Sequence, residues 1–586
     1  MPRNHIVAWR LKYFGPRASL MLTSVFIGLL TALCAVVLKN GVSLIRNLIY
    51  QISIHQHLHF LLFVFPALGI FLTVLFAQAF LGGHLGRGVA NIIYTISRKA
   101  SRVERDKLYS QMVSSILTVG FGGSAGLEAP IASTGSAIGS HAARWLRFNE
   151  KERTLLLACG AAAGISAIFN APIAGVIFAF EILLVDMPIP VIIPLLIASA
   201  SSSLLSHLIF SGQPFVLIAD SWQPDHLLYY IAFGCVAAFV SVYAIRVYFA
   251  IGEFFAGKKW VYTKAIVGGL LLGTLIFFFP PLYGEGYESV QMILRQTPTD
   301  LLNDQLLIPS AGIWTISIFA ICLMLLKVIA TSLTVGAGGN GGMFGSSLFT
   351  GAMCGYAFAH IVNLSGLATL NEVNFAVIGM AALMAGIIHA PLTAIFLIAE
   401  ITGGYALFVP LMIVSSLSYM ITRYFEPYSV YTKKLAVKGD MIIHDKDKVI
   451  LSKMHLKYFI ENDFISVKPN DTLGSLVEVI SQSHRNLFPV VDDEGKLFGI
   501  VNLDDVRNIM FSSNLYEKIL VKDLMNPPVV TLEVHQSMES ALEEFEKHKA
   551  WNLPVVEDGK YAGFVSKSKI FTHYRQRVIK DNILPA

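Results

Sequence analysis

Residues 117–139 read LTVGFGGSAGLEAPIASTGSAIG, and residues 333–355 read LTVGAGGNGGMFGSSLFTGAMCG. The two align without a gap at an offset of 216 residues (333 minus 117) and share LTVG, the next Gly-Gly, Gly126/Gly342, a Thr-Gly pair and a final glycine. A second pair follows, NAPIAGVIFAFEI at 170–182 and HAPLTAIFLIAEI at 389–401, at an offset of 219 (389 minus 170). Use of glycine for helix packing explains the glycines but not their fixed order. The chain is therefore read as two copies of one unit, each interrupted by a glycine-rich break. Internal repeats with broken apolar segments mark membrane transporters, with the site at the breaks near mid-bilayer.

The composition agrees. Of 586 residues, 54% are hydrophobic and 14% charged, against roughly 25% charged in soluble domains. Residues 19–38 carry no charge, and 58–81, 190–219, 228–245 and 313–326 read the same way; a spanning helix needs roughly 20 such residues. Arg3, Arg10, Lys12 and Arg17 precede or border the first run, which is too long for a cleaved signal and reads as a cytosolic anchor. The five cysteines stand apart, with no Cys/His cluster, so neither a disulfide framework nor a metal site is expected. The net charge of +5 is too dispersed to suggest nucleic acid. Basic clusters at 98–107 and 144–153 are both expected in the cytosol. The segment between them is long enough for two half-helices but not two spans, so it is expected to enter and leave on one side with GLEAP at its apex. Whether the second copy is inverted is left open.

Near residue 426 the charge density rises and short strand-like runs appear. The expected division is a membrane domain at 1–425 (repeats at about 19–220 and 228–425), a linker at 426–450, and a soluble unit at 451–577. The soluble unit repeats too: PVVDDEGKLFGIV at 489–501 and PVVEDGKYAGFV at 554–565 each sit between helix-like stretches, giving two βαββα copies.

A glycine break leaves backbone N–H groups without partners, and helix N-termini carry a partial positive charge that binds anions. In hydrocarbon those amides need a partner. Glu128 opens the half-helix after the break and is itself a candidate anion; the alternative is a residue that caps only its own helix. The equivalent position in the second copy is Phe344, so the fold does not demand an acid there. An intramembrane enzyme would need a nucleophile–base pair or metal cluster, and no HExxH or paired intramembrane aspartates occur. A cation carrier would present carbonyls or carboxylates rather than helix N-termini.

Through these motifs the chain resembles the CLC family of chloride channels and chloride/proton exchangers over nearly its whole length. GLEAP (126–130), GMFGS (342–346), CGAAAGISAIFNAPIAGVIFAFE (159–181) and SVYTKKL carry the resemblance, and the tail resembles paired CBS domains. The implied fold is an α-helical polytopic membrane protein with internally repeated halves and re-entrant broken helices, plus a soluble α/β tandem CBS domain. The resemblance makes Glu128 the gate and the amides of Leu127, Glu128, Ala129, Met343, Phe344 and Gly345 the anion ligands. Tyr431 becomes the inner gate, with Tyr428 as an alternative register. It also implies a homodimer in the prokaryotic inner membrane, with N-terminus and CBS tail cytosolic, and no enzymatic activity. The first anion motif falls on GRGVA (86–90), placing Arg87 where the family has serine and Ala90 where it has proline; Arg87 either holds an anion or is a vestibule charge. Leu127 replaces the usual arginine, and Gly345–Ser346 replace Ala–Pro. The internal acid of the exchangers aligns with Ile182, not Glu181, which favours a channel or proton-uncoupled transporter over a chloride/proton antiporter; another small anion, fluoride or nitrate, is a more distant alternative. Glu181 and Glu400 are expected to serve structure. CBS pairs often bind adenine nucleotides through Ser/Thr and Asp. Here Asn502 and Asp505 in one copy, and Ser566 with Lys569 in the other, keep half the pattern each.

Overall fold

A computed structural model describes residues 14–55, 61–83, 85–86, 88–183, 192–209, 221–257, 260–302, 314–438, 451 and 454–582. The chain divides into two compact units, 1–441 and 442–586. Unit one is helical, and among the described residues eight of its helices are long and apolar enough to cross a bilayer.

The repeat governs the helix order. The first copy runs α1 (Pro16–His55), α2 (Leu61–Leu81), α3 (Gly88–Arg98), α4 (Ser110–Gly120), α5 (Glu128–Trp145), α6 (Glu150–Phe169), α7 (Pro172–Phe178) and α8 (Ile192–Ile209). The second runs α9 (Leu227–Ala256), α10 (Val261–Phe278), α11 (Tyr287–Leu294), α12 (Thr315–Ala337), α13 (Met343–Leu364), α14 (Glu372–Ile388), α15 (Pro391–Ile401) and α16 (Phe408–Phe425). A short α17 (Lys433–Val437) closes the unit. Proline opens both α7 and α15, where its missing N–H costs nothing. Left-handed Asn170 and His389 end the preceding helices at equivalent places.

Burial sorts these helices. On α1, Leu22, Phe26, Leu33, Val37, Leu44 and Leu48 are exposed at helical spacing, an apolar stripe suited to lipid. By contrast α5, α6, α13 and α14 are buried along almost their whole lengths and rich in Gly, Ala and Ser. Small residues let helix backbones approach closely. A methyl group on Gly135 would lie 2.7 Å from the Gly160 carbonyl carbon, and one on Gly351 2.6 Å from that of Gly379. These are the same crossing in each copy.

The expected hairpin between the basic clusters is α4, a break and α5. Its two ends lie together: Arg153 donates from Nε (2.9 Å) and a terminal guanidinium nitrogen (2.6 Å) to the Ala100 carbonyl, and the Ser101 and Thr154 hydroxyls bond at 2.6 Å. The expected linker starts too early. Glu426 pairs with Arg246 at 2.8 Å and Lys433 at 2.6 Å, and the Val430 amide donates to the Ile387 carbonyl. These bonds tie residues 426–438 into unit one, which extends to 441.

Unit two holds α18 (Leu473–Gln482), β1 (Leu487–Val491), β2 (Leu497–Asn502), α19 (Leu503–Val506), α20 (Val521–Leu524), β3 (Leu532–Glu533), α21 (Met538–Lys547), β4 (Asn552–Glu557), β5 (Lys560–Ser566) and α22 (Lys567–Asn582). β1–β2 and β4–β5 are antiparallel, each with a register shift after the first valine of its PVV. β3 runs parallel to β4, and Val467 bridges Val490 in the same sense. The copies exchange flanks: Glu461 bridges Phe564, while Asn526 bridges Ile500. Met454, Leu456 and Phe459 accordingly belong to the second copy's core. Arg485 pairs with Asp463 (2.8 Å) and with Glu461, whose side chain is only 10% exposed.

Two outcomes follow from this packing. Gly351→Val places atoms on a backbone and destabilises unit one by about 3 kcal/mol or more. Size-exclusion profile and unfolding midpoint check it, with Gly252→Ala, a site with open space, as control. Arg485→Ala removes the cationic partner of the Glu461 carboxylate and costs roughly 2 kcal/mol, read from amide exchange across residues 454–582 of the whole protein. Arg485 also holds the Asp463 carboxyl below the usual aspartate range. That contribution is present above the unfolded Asp value (about 4) and fades as pH falls through the depressed folded value, a loss that Arg485→Ala should not show.

Candidate anion site

The two glycine breaks are locked together. Gly126 N–H donates to the Gly342 carbonyl and Gly342 N–H to that of Gly126, both at 3.0 Å. Reciprocal bonds between repeat-equivalent residues mean a local two-fold relation. Thr118 Oγ1 accepts from Asn340 N (3.0 Å), and Thr334 Oγ1 accepts from Ser124 N (3.1 Å). Thr118 and Thr334 are themselves repeat equivalents, so the exchange is symmetric. Asn340 Nδ2 adds bonds to Gln111 Oε1 (3.1 Å) and Ser114 Oγ (2.7 Å).

This lock brings the N-termini of α5 and α13 together. Leu127, Glu128, Ala129, Met343 and Phe344 are all buried. The start of α3 joins them, since a methyl on Gly88 would lie 3.1 Å from Ala129 Cβ. First-turn amides have no partner within their own helix, and three positive helix ends converge here. Arg87 lies outside the described residues. The residues before it are anchored: the Leu85 and Gly86 carbonyls accept from Gln111 Nε2 at 2.8 and 2.7 Å.

Glu128 is fully buried. Its carboxylate accepts from Gly345 N at 3.2 Å and from the Tyr287 hydroxyl. The acid that opens α5 thus serves the N-terminus of α13, so the alternative of a residue capping only its own helix fails: the side chain crosses the repeat interface. Phe344 stands between two rings, with centroids 5.7 Å from Phe169 and 6.3 Å from Phe178. Tyr431 is buried, and its hydroxyl has no hydrogen-bond partner among the described residues. Tyr428 is 42% exposed.

Glu181 and Glu400 form a second reciprocal exchange. Glu181 accepts from Leu392 N (3.0 Å), Thr393 N (2.8 Å) and Thr393 Oγ1 (2.7 Å) at the start of α15. Glu400 accepts from Ile173 N (3.0 Å) and Ala174 N (2.8 Å) at the start of α7. Glu181 sits in a π-turn, Ala179–Leu183, with Ile182 buried beside it.

Four residues around Glu128 and the turn facing it were missed. Tyr287 and Glu285 lie in YGEGY (283–287), an acid between glycines much like GLEAP. Lys327 is fully buried, with Nζ bonding the Gly284 carbonyl at 2.8 Å and lying 4.9 Å from the Phe349 ring centroid. Lys39 Nζ bonds the Ile168 carbonyl at 2.6 Å, at the C-terminus of α6. The sequence signal was present: the apolar runs 19–38 and 313–326 each stop one residue short of a lysine. Both lysines lie inside helices that continue beyond them.

In unit two the three residues expected to hold a nucleotide are committed to local bonds. Asp505 Oδ2 accepts from Asn502 N (3.2 Å), Asn502 Nδ2 (2.9 Å) and Asn526 Nδ2 (2.9 Å). Ser566 Oγ donates to Glu461 Oε1 at 2.9 Å and accepts from Lys569 N at 3.2 Å. Their bonds are thus made within unit two itself.

The description "Voltage gated chloride channel" matches residues 69–423, and "CBS domain" matches 457–512 and 521–575. A ClcB-like protein of Ralstonia nicotianae, named for a chloride channel, is 30% identical over 340 residues, 56% of this chain and 74% of that protein. The H(+)/Cl(-) exchange transporter ClcA of Salmonella arizonae is 28% identical over 438 residues, 72% of this chain and 89% of that protein. A solved eukaryotic CLC transporter shares the fold with a TM-score of 0.60 at 18% identity, covering 94% of this chain and 97% of its own. The chain belongs to the voltage-gated chloride channel (CLC) family of chloride-transporting integral membrane proteins, with a tandem pair of CBS domains.

Proposed function

We propose that chloride crosses unit one past the facing N-termini of α5 and α13, and that Glu128 is the gate. The observation that carries this reading is the carboxylate of Glu128 lying on the Gly345 amide. A tethered carboxylate on an anion seat competes with a mobile anion, because both satisfy the same amides and dipole. When Glu128 swings away or takes a proton, chloride replaces it against the amides of Leu127, Glu128, Ala129, Met343, Phe344 and Gly345. Tyr431, with an unpartnered hydroxyl, is the inner gate.

The transport mode is read as channel-like or proton-uncoupled. Ile182 stands where the exchangers carry an internal acid, and the adjacent Glu181 is occupied in holding α15. Chloride/proton antiport is the second reading, favoured by the likeness to an H(+)/Cl(-) exchange transporter. The N-terminus, the two basic clusters and the CBS pair face the cytosol of a prokaryotic cell. The protein is a homodimer with one pathway per subunit, and the apolar faces of α8 and α16 are its candidate contact. The CBS pair acts in assembly and regulation without a nucleotide at Asn502, Asp505 and Ser566.

In chloride-loaded liposomes, Glu128→Gln is expected to change efflux severalfold and to remove its dependence on pH. Efflux and pH response both equal to wild type would sink the gate assignment. A proton uncoupler is expected to leave wild-type efflux unchanged; chloride driven uphill by a proton gradient would establish antiport instead. Millimolar ATP is expected to leave the unfolding midpoint where it was, since only a ligand that binds the native state raises it. A saturable rise would restore the nucleotide site.

A further inference from the structure

We propose that the Tyr287 hydroxyl is a chloride ligand: with the Gly345 amide it forms the seat that Glu128 occupies, and it turns to chloride when Glu128 leaves. The inference rests on the reading of Glu128 as a gate and deepens it, adding a side-chain donor to the backbone amides. Two donors meet one carboxylate. Gly345 N donates to Glu128 Oε2 at 3.2 Å, and the Tyr287 hydroxyl donates to Oε1. A carboxylate oxygen and a chloride ion need the same thing, an N–H or O–H aimed at negative charge. The Glu128 side chain is a tethered substitute for the ion, and its contacts mark the donors the ion will meet.

Glycine on both sides of the break makes room for this pair. A methyl on Gly345 would lie 2.8 Å from Tyr287 Oη and 3.0 Å from Glu128 Oε1, inside the normal packing distance of about 3.5 Å. A methyl on Gly126 would overlap the other carboxylate oxygen. Residue 345 is also where the resemblance to the CLC family calls for alanine. In this chain the hydroxyl takes the space that such a methyl would fill.

Tyr287 is the first residue of α11, and the turn before it is pinned on three sides. The Tyr283 hydroxyl donates to the Gly120 carbonyl at 2.8 Å, at the end of α4. Lys327 Nζ, on α12, holds the Gly284 carbonyl at 2.8 Å and the Leu282 carbonyl at 3.4 Å. Gly286 has a φ of +84°, and a methyl there would lie 2.6 Å from the Phe349 ring of α13. A donor fixed by its surroundings needs little ordering when an ion binds. The hydroxyl therefore keeps its place when the carboxylate departs, and it lacks that partner until an anion arrives.

The test is chloride binding by calorimetry to the whole protein in four forms: wild type, Glu128→Ala, Tyr287→Phe and the Glu128→Ala/Tyr287→Phe double variant. Glu128→Ala vacates the seat and should bind chloride more tightly than wild type. Adding Tyr287→Phe to it should weaken chloride binding about tenfold, the weight of one charged hydrogen bond. In the wild-type background the same change takes a donor from both competitors, so the loss there should be much smaller. A role in packing alone would not depend on Glu128 in this way. Equal affinity in Glu128→Ala and the double variant overturns the proposal, because the hydroxyl then serves only the carboxylate. If the double variant does not fold, a crystal of Glu128→Ala grown in bromide decides. Bromide within hydrogen-bond reach of Tyr287 Oη supports the assignment, and bromide on the Gly345 amide but beyond that reach overturns it. A Glu128→Ala protein that binds chloride no more tightly than wild type removes the Glu128 gate, and the double variant then decides the Tyr287 assignment separately.

Discussion

Gly126 and Gly342 exchange two backbone hydrogen bonds, and through them the positive ends of α5 and α13 are held face to face. Two like dipole ends at close range repel, each with roughly half an elementary charge. Hydrocarbon offers no water to relieve them. Such a junction calls for a hydrogen-bond acceptor beside it, and the carboxyl group of Glu128 is that acceptor on the Gly345 amide. On the proposed reading, the acid and the pathway have one origin. The geometry that makes the junction costly without an anion is the geometry that attracts a mobile one.

The same logic recurs around the junction. Glu181 completes the start of α15 and Glu400 the start of α7, so each half finishes a helix of the other. Lys39 meets the carbonyls at the end of α6, and Lys327 meets those of the 282–284 turn. At these four sites the charged group meets a helix end or a turn. Each group satisfies backbone atoms that would otherwise be orphaned, and this is the condition for keeping an ionisable residue inside a membrane protein.

Much of this was legible in the sequence because the repeat is written in small residues. A glycine at 135, 160, 351 or 379 is fixed by backbone contact, so the motif survives in both copies and can be aligned. Glu181 and Glu400 were read as structural on other grounds, because the exchangers' internal acid aligns with Ile182. The lysines were not. A charge in an apolar run reads as the end of a span, because its desolvation is costly; here the turn carbonyls and ring face that receive Lys327 come from residues 282–284 and Phe349. The end of unit one was misplaced by similar reasoning. Glu426 and Lys433 look like a charged linker until Arg246, far back in the chain, joins them.

By itself the sequence determined that the chain has two membrane copies with broken helices, one acid at one break, and a duplicated βαββα tail. Periodicity, small-residue order and composition are local properties, and one chain displays them. Only the tertiary structure decided what the acid touches. Glu128 and Gly345 are 217 residues apart, and Glu181 and Thr393 are 212 apart. Hydrogen-bond partners of a buried carboxylate are chosen by which backbone ends the fold brings within about 3 Å. No spacing along one segment encodes that distance.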